Sequence, residues 1–438
     1  MQSRRIVLLA ALGLVVTAAL ARALAPEPVA PLTPAVRAAA LAAITRALDE
    51  GYVFPDLRPA LHARLAQAEK AGRYDMTDPL VFADRITEDL RDVSHDRHLS
   101  LVVDPRAYAA SLAPRQSDAG LEAFLHRQAV RNHHGLAAMS VLPGNVRYLK
   151  ITGFEWVQDE TGAAYDDAMR FLKDGDAVIV DLRGNGGGSH SAVRYLVSHF
   201  LDPDTLLMTF LHGKEALAQS WVLDHLPAGR LKGKPLYVLI DGRVASAGED
   251  FAYDVEQWKL GELIGAKTAG AANNNERQPI APCFVLSVSV GRPLHPVSQG
   301  NWEGKGIEPT VAVPPEQALE VAQVRALDRL AQAPGATPEQ RGEYAWARVA
   351  VEARLHPVSL PPEKLAALAG RYGDLTVELR DGALWLARPN RPTARLAPLT
   401  DGGLFALEGI DVVRVRLAAD RLELQWQDEP APRVYPRG

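Results

Sequence analysis

Two short segments of this 438-residue chain carry residues suited to acyl-transfer chemistry. The first, residues 181–189, reads DLRGNGGGS, and its four glycines in five positions leave backbone N–H groups uncovered by side chains. Such a loop before a helix suits an anion, either a phosphate or the oxyanion of a tetrahedral intermediate. The glycine spacing fits neither the P-loop nor the dinucleotide-binding pattern, so the sequence favours an oxyanion hole, with a plain glycine-rich turn as the alternative.

The second segment, residues 241–249, reads DGRVASAGE and supplies a candidate nucleophile. Ser246 stands where a buried strand ends and a helix begins, and such a corner exposes its hydroxyl. The N–H of Ala247 beside it can donate to an oxyanion. Ser246 and Glu249 also have the spacing of a helix capping box, which is the structural alternative and is compatible with a nucleophile.

A nucleophilic serine needs a base, and the base needs a group that orients it. His98 follows a helical segment and enters the extended run 99–103, which is a suitable place for a fixed imidazole. Glu303, in the turn NWEGKGIEP, can hold an imidazolium. The alternatives are a structural histidine, an exposed loop glutamate, and a metal pair formed by His95 and His98, for which no third ligand is evident.

Five motifs in a fixed order carry a family resemblance: DRHLSL, DLRGNGGGS, ASAGE, GAKTAG and NWEGKGIEP. Together they resemble the serine peptidases related to tricorn protease and the C-terminal processing (tail-specific) peptidases, in the branch that includes interphotoreceptor retinoid-binding-protein repeats. The resemblance covers residues 36–325. It implies an α/β core of the ClpP/crotonase type, with βαβ units and a mixed sheet.

The resemblance also implies roles for individual residues. Ser246 takes the place of the family's nucleophile, and the N–H groups of Gly187 and Ala247 match its oxyanion donors. His98 and Glu303 match the histidine and glutamate of the tricorn-like branch. On this basis the catalytic set is Ser246, His98 and Glu303, with Gly187 and Ala247 as the oxyanion hole.

Some positions depart from the family pattern. The processing branch uses a lysine base, but Ala271 occupies that place here and Lys267 lies four residues too early. Arg97 stands where tricorn protease has a serine before its histidine, and Ser100 is the candidate to replace that serine. Only about 40 residues separate His98 from the strand at Val146, too few for the PDZ domain that processing peptidases insert.

Hydrophobic periodicity predicts the elements that hold these residues. The pattern predicts helices over 36–48, 57–71, 80–93, 117–131, 190–201, 248–260, 313–332 and 342–355. It predicts core strands over 146–151, 177–180, 236–240 and 285–290, and the alternation of strand and helix favours βαβ units. Four short strands over 375–379, 383–386, 412–417 and 422–426 predict a separate antiparallel unit, either sandwich-like or barrel-like.

These patterns predict an α/β protein with a helical region before the core and a small all-β domain after it. The predicted divisions are a signal peptide over 1–25, a helical domain over 26–135, and the catalytic core over 136–332. A linker and helix over 333–355 then lead to the β domain over 356–438.

Composition limits the remaining possibilities. The net charge of −5 gives no electrostatic footprint for nucleic acid, and the single cysteine, Cys283, excludes an intramolecular disulfide or a multi-cysteine metal site. Cys283 lies in an apolar run, which predicts a buried strand residue. Residues 1–25 have the basic start, apolar run and small residues of a signal peptide, so we expect export to a bacterial envelope, with an uncleaved anchor as the alternative.

The sequence therefore predicts a serine peptidase that hydrolyses extended or unfolded polypeptides and needs neither a metal nor an organic cofactor. Its expected partner is the polypeptide substrate, with no nucleic acid and no integral membrane span beyond the signal segment. A non-catalytic carrier of peptides or apolar ligands on the same fold is the rival hypothesis. An esterase with the same triad would differ only in its substrate.

Overall fold

The structure, a computed structural model, describes residues 30–112, 118–212 and 215–438. The predicted signal peptide lies outside these residues. The chain divides into two compact units. The first unit contains the described residues up to 112 together with Asn275–Val290, and the second contains residues 118–274 and Gly291–Gly438. In the described part of the chain, no helix combines the length and the apolar character needed to cross a membrane.

The described helices follow the order of the chain. They are α1 (Pro34–Gly51), α2 (Arg58–Lys70), α3 (Pro79–Ser94), α4 (Pro105–Leu112), α5 (Asp118–Arg131), α6 (Asp159–Lys173), α7 (His190–Val197), α8 (Ala247–Gln257), α9 (Ala318–Ala331), α10 (Pro338–Leu355) and α11 (Pro362–Leu368).

The strands fall into a core set and a C-terminal set. The core set is β1 (Ser100–Val103), β2 (Leu136–Leu142), β3 (Val146–Ile151), β4 (Ala177–Asp181), β5 (Leu206–His212), β6 (Glu215–Trp221), β7 (Leu236–Ile240), β8 (Glu262–Gly265), β9 (Asn274–Ile280), β10 (Phe284–Leu294) and β11 (Val311–Ala312). The C-terminal set is β12 (Gly370–Tyr372), β13 (Leu375–Arg380), β14 (Ala383–Arg388), β15 (Arg391–Pro398), β16 (Leu404–Leu407), β17 (Ile410–Leu417), β18 (Arg421–Trp426) and β19 (Arg433–Pro436).

The first unit is mainly helical, as predicted. Apolar faces of α1, α2 and α3 pack with β1 and the first part of β10 in one hydrophobic cluster. The two strands pair antiparallel, with Ser100 opposite Ser287. A buried carboxylate, Asp89, joins the helices by accepting hydrogen bonds from Arg64, Arg73 and Tyr74. Burial opposes its charge, but these three donors outweigh that effect and lower the pKa of Asp89.

The second unit contains the predicted mixed sheet. Its strand order is β11-β8-β7-β4-β3-β2, and every neighbouring pair is parallel except β3 with β2. Along β4, Val178 and Val180 face a cluster with α6, α7 and α8, whereas Ala177 and Ile179 face a cluster with α9 and α10. Because both faces are covered, the central strands are continuous apolar runs, which is why the sequence revealed them.

The C-terminal strands β12 to β19 pair antiparallel in simple chain order. Hydrogen bonds also join the first and last strands, from Gly373 N to Pro436 O and from Gly438 N to Arg371 O. The predicted antiparallel domain is therefore confirmed, and it has the barrel-like form rather than the sandwich-like one. Closure leaves no open sheet edge among strands β12 to β19.

Some local predictions differ from the structure. The predicted linker 333–341 is helical from Pro338, because Thr337 caps α10 and accepts a hydrogen bond from Gln340 N. Cys283 is buried as predicted, but it lies in the turn before β10 rather than in a strand. Burial raises the pKa of its thiol, which disfavours the reactive thiolate.

We predict that acid destabilises the second unit partly through His199. This fully buried histidine lies after α7, and burial lowers its pKa to about 4, compared with about 6.5 in an unfolded chain. Between these values the unfolded chain binds a proton that the folded protein does not, so the free energy of unfolding falls as the pH decreases. At pH 5 the loss from this residue is about 2 kcal/mol relative to pH 7.

Urea unfolding at both pH values measures this effect. The His199→Asn variant should show a smaller difference between pH 7 and pH 5 than the wild type, whereas a variant of the exposed His225 should match the wild type. An unchanged pH dependence in His199→Asn would contradict the assignment.

Candidate active site

The candidate site forms where neighbouring parallel strands β4, β7 and β8 end. Their carboxyl ends lie at one edge of the sheet, so the loops that follow them meet there. Backbone hydrogen bonds join these loops, from Ala245 N to Asn185 O (3.0 Å) and from Ala269 N to Val244 O (3.0 Å). The three motifs DLRGNGGGS, ASAGE and GAKTAG, separated in sequence, therefore form one layer of contacting loops.

Ser246 adopts a backbone conformation that few non-glycine residues tolerate. It has φ 51° and ψ −121°, it directly precedes α8, and it is partly exposed. A residue held in such a region costs about 1–3 kcal/mol and persists only where its surroundings enforce the geometry. A strained serine between a buried strand and a helix matches the geometry of a nucleophile elbow, the arrangement expected from the sequence.

The carboxylate of Glu249 enforces this geometry. Its side chain is fully buried and accepts four hydrogen bonds: from Ser246 N (3.1 Å), Ala271 N (2.8 Å), Gly270 N (2.6 Å) and Thr268 Oγ1 (2.5 Å). The bond to Ser246 N is the glutamate half of the predicted capping box. Burial raises the pKa of Glu249, although the four donors favour its charged form. Glu249 thus ties the serine turn to the loop over 268–271.

Gly187 packs directly against this turn. A Cβ atom on Gly187 would lie 2.7 Å from Ser246 Cβ and 3.1 Å from Ala247 N, and φ at Gly187 is +111°. Only glycine fits there without a shift. The Gly187 N–H donates to Asn185 Oδ1 at 2.8 Å, so an oxyanion at this amide would replace or share that bond. The assigned donor roles of Gly187 and Ala247 stay predictions.

Glu303 is fixed to the loop that follows the Glu249 contacts. One oxygen of its carboxylate accepts from Ala272 N (2.6 Å) and Asn273 N (2.8 Å). The preceding carbonyl, Ala271 O, accepts from Ser246 N (3.1 Å). The predicted nucleophile and the predicted orienting carboxylate are therefore linked through the backbone over 271–273.

His98 belongs to the first unit and is held in the turn between α3 and β1. Its N–H donates to Asp96 Oδ1 (2.9 Å), and the guanidinium of Arg91 binds the carbonyl oxygens of Arg97 and Leu99 on either side of it. These contacts fix the backbone at His98. Its role as a base for Ser246 stays a prediction.

Lys267, the candidate for a lysine base, is engaged elsewhere. Its Nζ lies 2.7 Å from Glu308 Oε1, and both side chains are more than half exposed. The choice between His98 and Lys267 as the base stays a prediction.

A second array of polar side chains was missed by the sequence analysis. The imidazole of His190, at the first position of α7, contacts Asp250 Oδ2 through Nδ1 (2.6 Å) and Ser220 Oγ through Nε2 (2.7 Å). Burial opposes the imidazolium, but the Asp250 carboxylate outweighs this effect and raises the pKa of His190. Ser220 is buried on β6, a strand that the sequence pattern did not predict, so no sequence signal pointed to this array.

Comparison with known families bears on this site directly. Residues 145–313, which include β4, β7, β8 and the three loops, match the model of peptidase family S41. This segment, less than half of the chain, is similar to that family. The resemblance drawn from the motifs is therefore confirmed at the level of the family.

One curated relative shares a low sequence identity with this chain. The carboxy-terminal processing protease CtpB of Bacillus subtilis (strain 168) is 27% identical over 174 residues, which are 39% of this chain and 34% of that protein. The chain thus spans about a third of the length of this curated relative.

Two solved structures resemble the fold. A photosystem II D1 C-terminal processing protease is 16% identical with a TM-score of 0.42, and the match covers 65% of this chain and 94% of that one. A structure titled as a putative peptidase from Parabacteroides merdae ATCC 43184 is 19% identical with a TM-score of 0.44, covering 64% and 90%.

The two neighbouring glycines of the loop give a matched test of this packing. Gly187→Ala should lower the free energy of unfolding by about 1–3 kcal/mol through backbone strain alone, with the contact to Ser246 adding to it. Gly186→Ala should be nearly neutral, because a Cβ there meets no atom within 4 Å. Urea unfolding of both variants measures the difference. Equal effects would show that Gly187 is not packed against Ser246 as described.

Proposed function

We propose that this protein is a serine peptidase of the S41 type that cleaves extended or unfolded polypeptides. The observation that carries the proposal is the turn at Ser246. A strained serine directly before a helix, a glycine that packs against it, and a buried carboxylate that fixes its N–H form the scaffold of an activated hydroxyl. The match of residues 145–313 to the S41 family model agrees with this chemistry.

In the proposed reaction, Ser246 Oγ attacks the carbonyl carbon of the scissile peptide bond. His98 accepts the hydroxyl proton and then donates it to the leaving amine, which departs and leaves an acyl group on Ser246. Water, deprotonated by His98, then attacks this ester, and His98 returns the proton to Ser246 Oγ as the acid product leaves. Glu303 orients His98 and stabilises its imidazolium.

The oxyanion of each tetrahedral intermediate would be bound by two backbone amides. Ala247 N is the first N–H of α8, and the first turn of a helix has no intrahelical acceptor for its donors. Gly187 N would turn from Asn185 Oδ1 to the oxyanion. One such donor is typically worth about 3–4 kcal/mol of the barrier.

The proposed substrate is an extended polypeptide, and the proposed cellular location is outside the cytoplasmic membrane. An extended polypeptide would bind by pairing its backbone with an unpaired edge strand beside the loops around Ser246. We further propose that the protein is exported, on the strength of the signal-like pattern over residues 1–25.

Substitution of the nucleophile tests the proposal. The wild-type protein should cleave unfolded casein and should be labelled by a serine-reactive phosphonate, and peptide mapping should place the label on Ser246. Ser246→Ala should lose both properties, with cleavage reduced by about 10³-fold or more. Ser220 is the internal comparison, because it also bonds to a histidine. Label on Ser220 instead, or cleavage that survives in Ser246→Ala, would refute the assignment of Ser246 as the nucleophile. A folded wild-type protein that cleaves nothing would favour the rival hypothesis, a non-catalytic carrier of peptides or apolar ligands.

The choice of base is tested by two further variants. His98→Ala should lower the rate of casein cleavage by about 10³-fold or more, because the serine loses its proton acceptor. Lys267→Ala should keep the rate within about fivefold, since it removes only an exposed ion pair. The reverse pattern in initial-rate measurements would move the base to lysine.

A further inference from the structure

A cavity of about 440 Å³ lies within the second unit, away from the loops around Ser246. Three parts of the unit line it: the turn between β2 and β3, helix α10, and the barrel strand β17. The volume suits a small organic molecule rather than a folded partner. The cavity therefore offers a ligand site where the core meets the C-terminal barrel.

Arg414 on β17 is the unusual residue of this cavity. Its side chain is about 95% buried, since only 5% of the residue is exposed. Its Nη2 donates to Trp346 O (3.1 Å), and its guanidinium carbon lies 4.7 Å from the centre of the Trp346 ring. Its Nη1 has no hydrogen-bond acceptor among the described residues. Arg414 is thus a buried cation that lines the cavity, and its enclosed Nη1 group has no acceptor.

Burial also has an electrostatic consequence for Arg414. Burial lowers the pKa of Arg414 to about 10, and the nearby Asp411 offsets this only in part. A buried charge that lacks a hydrogen-bonded counterion is unfavourable, and proteins usually pair such a group. An anion in the cavity would compensate the charge of the Arg414 guanidinium through space.

The other charged residues of the wall narrow the class of ligand. Arg354 adds a second guanidinium, whereas Glu343 and Asp411 add two exposed carboxylates. A wall with both signs of charge favours a ligand that carries both, and a purely anionic ligand such as phosphate would meet the carboxylates unfavourably.

We propose that this cavity binds a small zwitterion of the size of a free amino acid or dipeptide, with its carboxylate on Arg414 and its ammonium group facing Glu343 and Asp411. The ligand class follows from the wall of the cavity alone, so the proposal does not depend on the chemistry assigned to Ser246.

Calorimetric titration of the full chain carrying Ser246→Ala tests the proposal without turnover of the probe. Glycylglycine should bind, with an affinity at least about tenfold higher than that of glycylglycinamide, which lacks the carboxylate. N-acetylglycylglycine, which lacks the ammonium group, should also bind more weakly than glycylglycine. Absence of glycylglycine binding, or equal binding of glycylglycinamide, would overturn the proposal.

Substitution of the arginine gives the second arm. Arg414→Gln should weaken glycylglycine binding by at least about tenfold. The matched control is Arg433→Gln. Arg433 is also stacked on a tryptophan, with its guanidinium carbon 4.4 Å from the centre of the Trp426 ring, but it is exposed and paired with Glu429. The Arg433→Gln variant should bind glycylglycine like the parent chain. Unchanged glycylglycine binding in a folded Arg414→Gln variant would overturn the proposal. If that variant does not fold, the comparison of glycylglycine with glycylglycinamide and N-acetylglycylglycine decides the proposal.

Discussion

The buried carboxylate of Glu249 is the interaction on which the candidate site depends. It accepts hydrogen bonds from the backbone of the Ser246 turn and from three donors in the loop over 268–271. A fully buried charge is tolerated only when it is well paired, and four donors meet that requirement. Because the same group serves both loops, the strained turn at Ser246 cannot relax without breaking the pairing of a buried charge.

The sheet explains why these loops can share one carboxylate. Parallel strands β4, β7 and β8 end at one edge, so residues distant in sequence meet there. The absence of a side chain at Gly187 then allows the first loop to approach Ser246 and Ala247. Glu303 extends the arrangement, since it holds the amides of Ala272 and Asn273 directly after the loop that Glu249 fixes. Rigid positioning of this kind is what acyl-transfer catalysis requires.

The second unit joins this core to the barrel through α10. Tyr344 on this helix donates to Asp176 Oδ2 in the core (3.0 Å), and Trp346 donates to Asp411 O in the barrel (2.9 Å). The cavity beside Arg414 lies along the same helix. The C-terminal barrel thus has a structural attachment to the core, and through the cavity it has a proposed ligand.

Sequence reasoning predicted those parts of the structure that have a strong local signal. The strands over 146–151 and 236–240 were predicted to the residue. The first has the alternation typical of a strand, and the second is an unbroken apolar run because both of its faces are covered. The Ser246–Glu249 spacing predicted the bond between them, since a capping box is a local pattern.

Other features depend on contacts that no local pattern encodes. The sequence of the β5–β6 hairpin lacks a clear alternation of apolar and polar residues, so these strands were not predicted. Ser220 and its contact with His190 were therefore missed. The hydrogen bond from Gly187 N to Asn185 Oδ1 and the four-fold pairing of Glu249 depend on how loops meet. The buried position of Arg414 depends on the packing of α10 against the barrel, which the sequence does not reveal.

The role of Glu249 in holding the Ser246 turn can be measured as the rate at which a serine-reactive phosphonate modifies Ser246 in the Glu249→Gln variant. The amide keeps the size of the side chain but turns one acceptor into a donor that faces other donors. We expect this variant to fold and to react at Ser246 at least about tenfold more slowly than the wild type, because the turn is no longer held. A folded Glu249→Gln protein that is modified at the wild-type rate would show that Glu249 does not hold the turn.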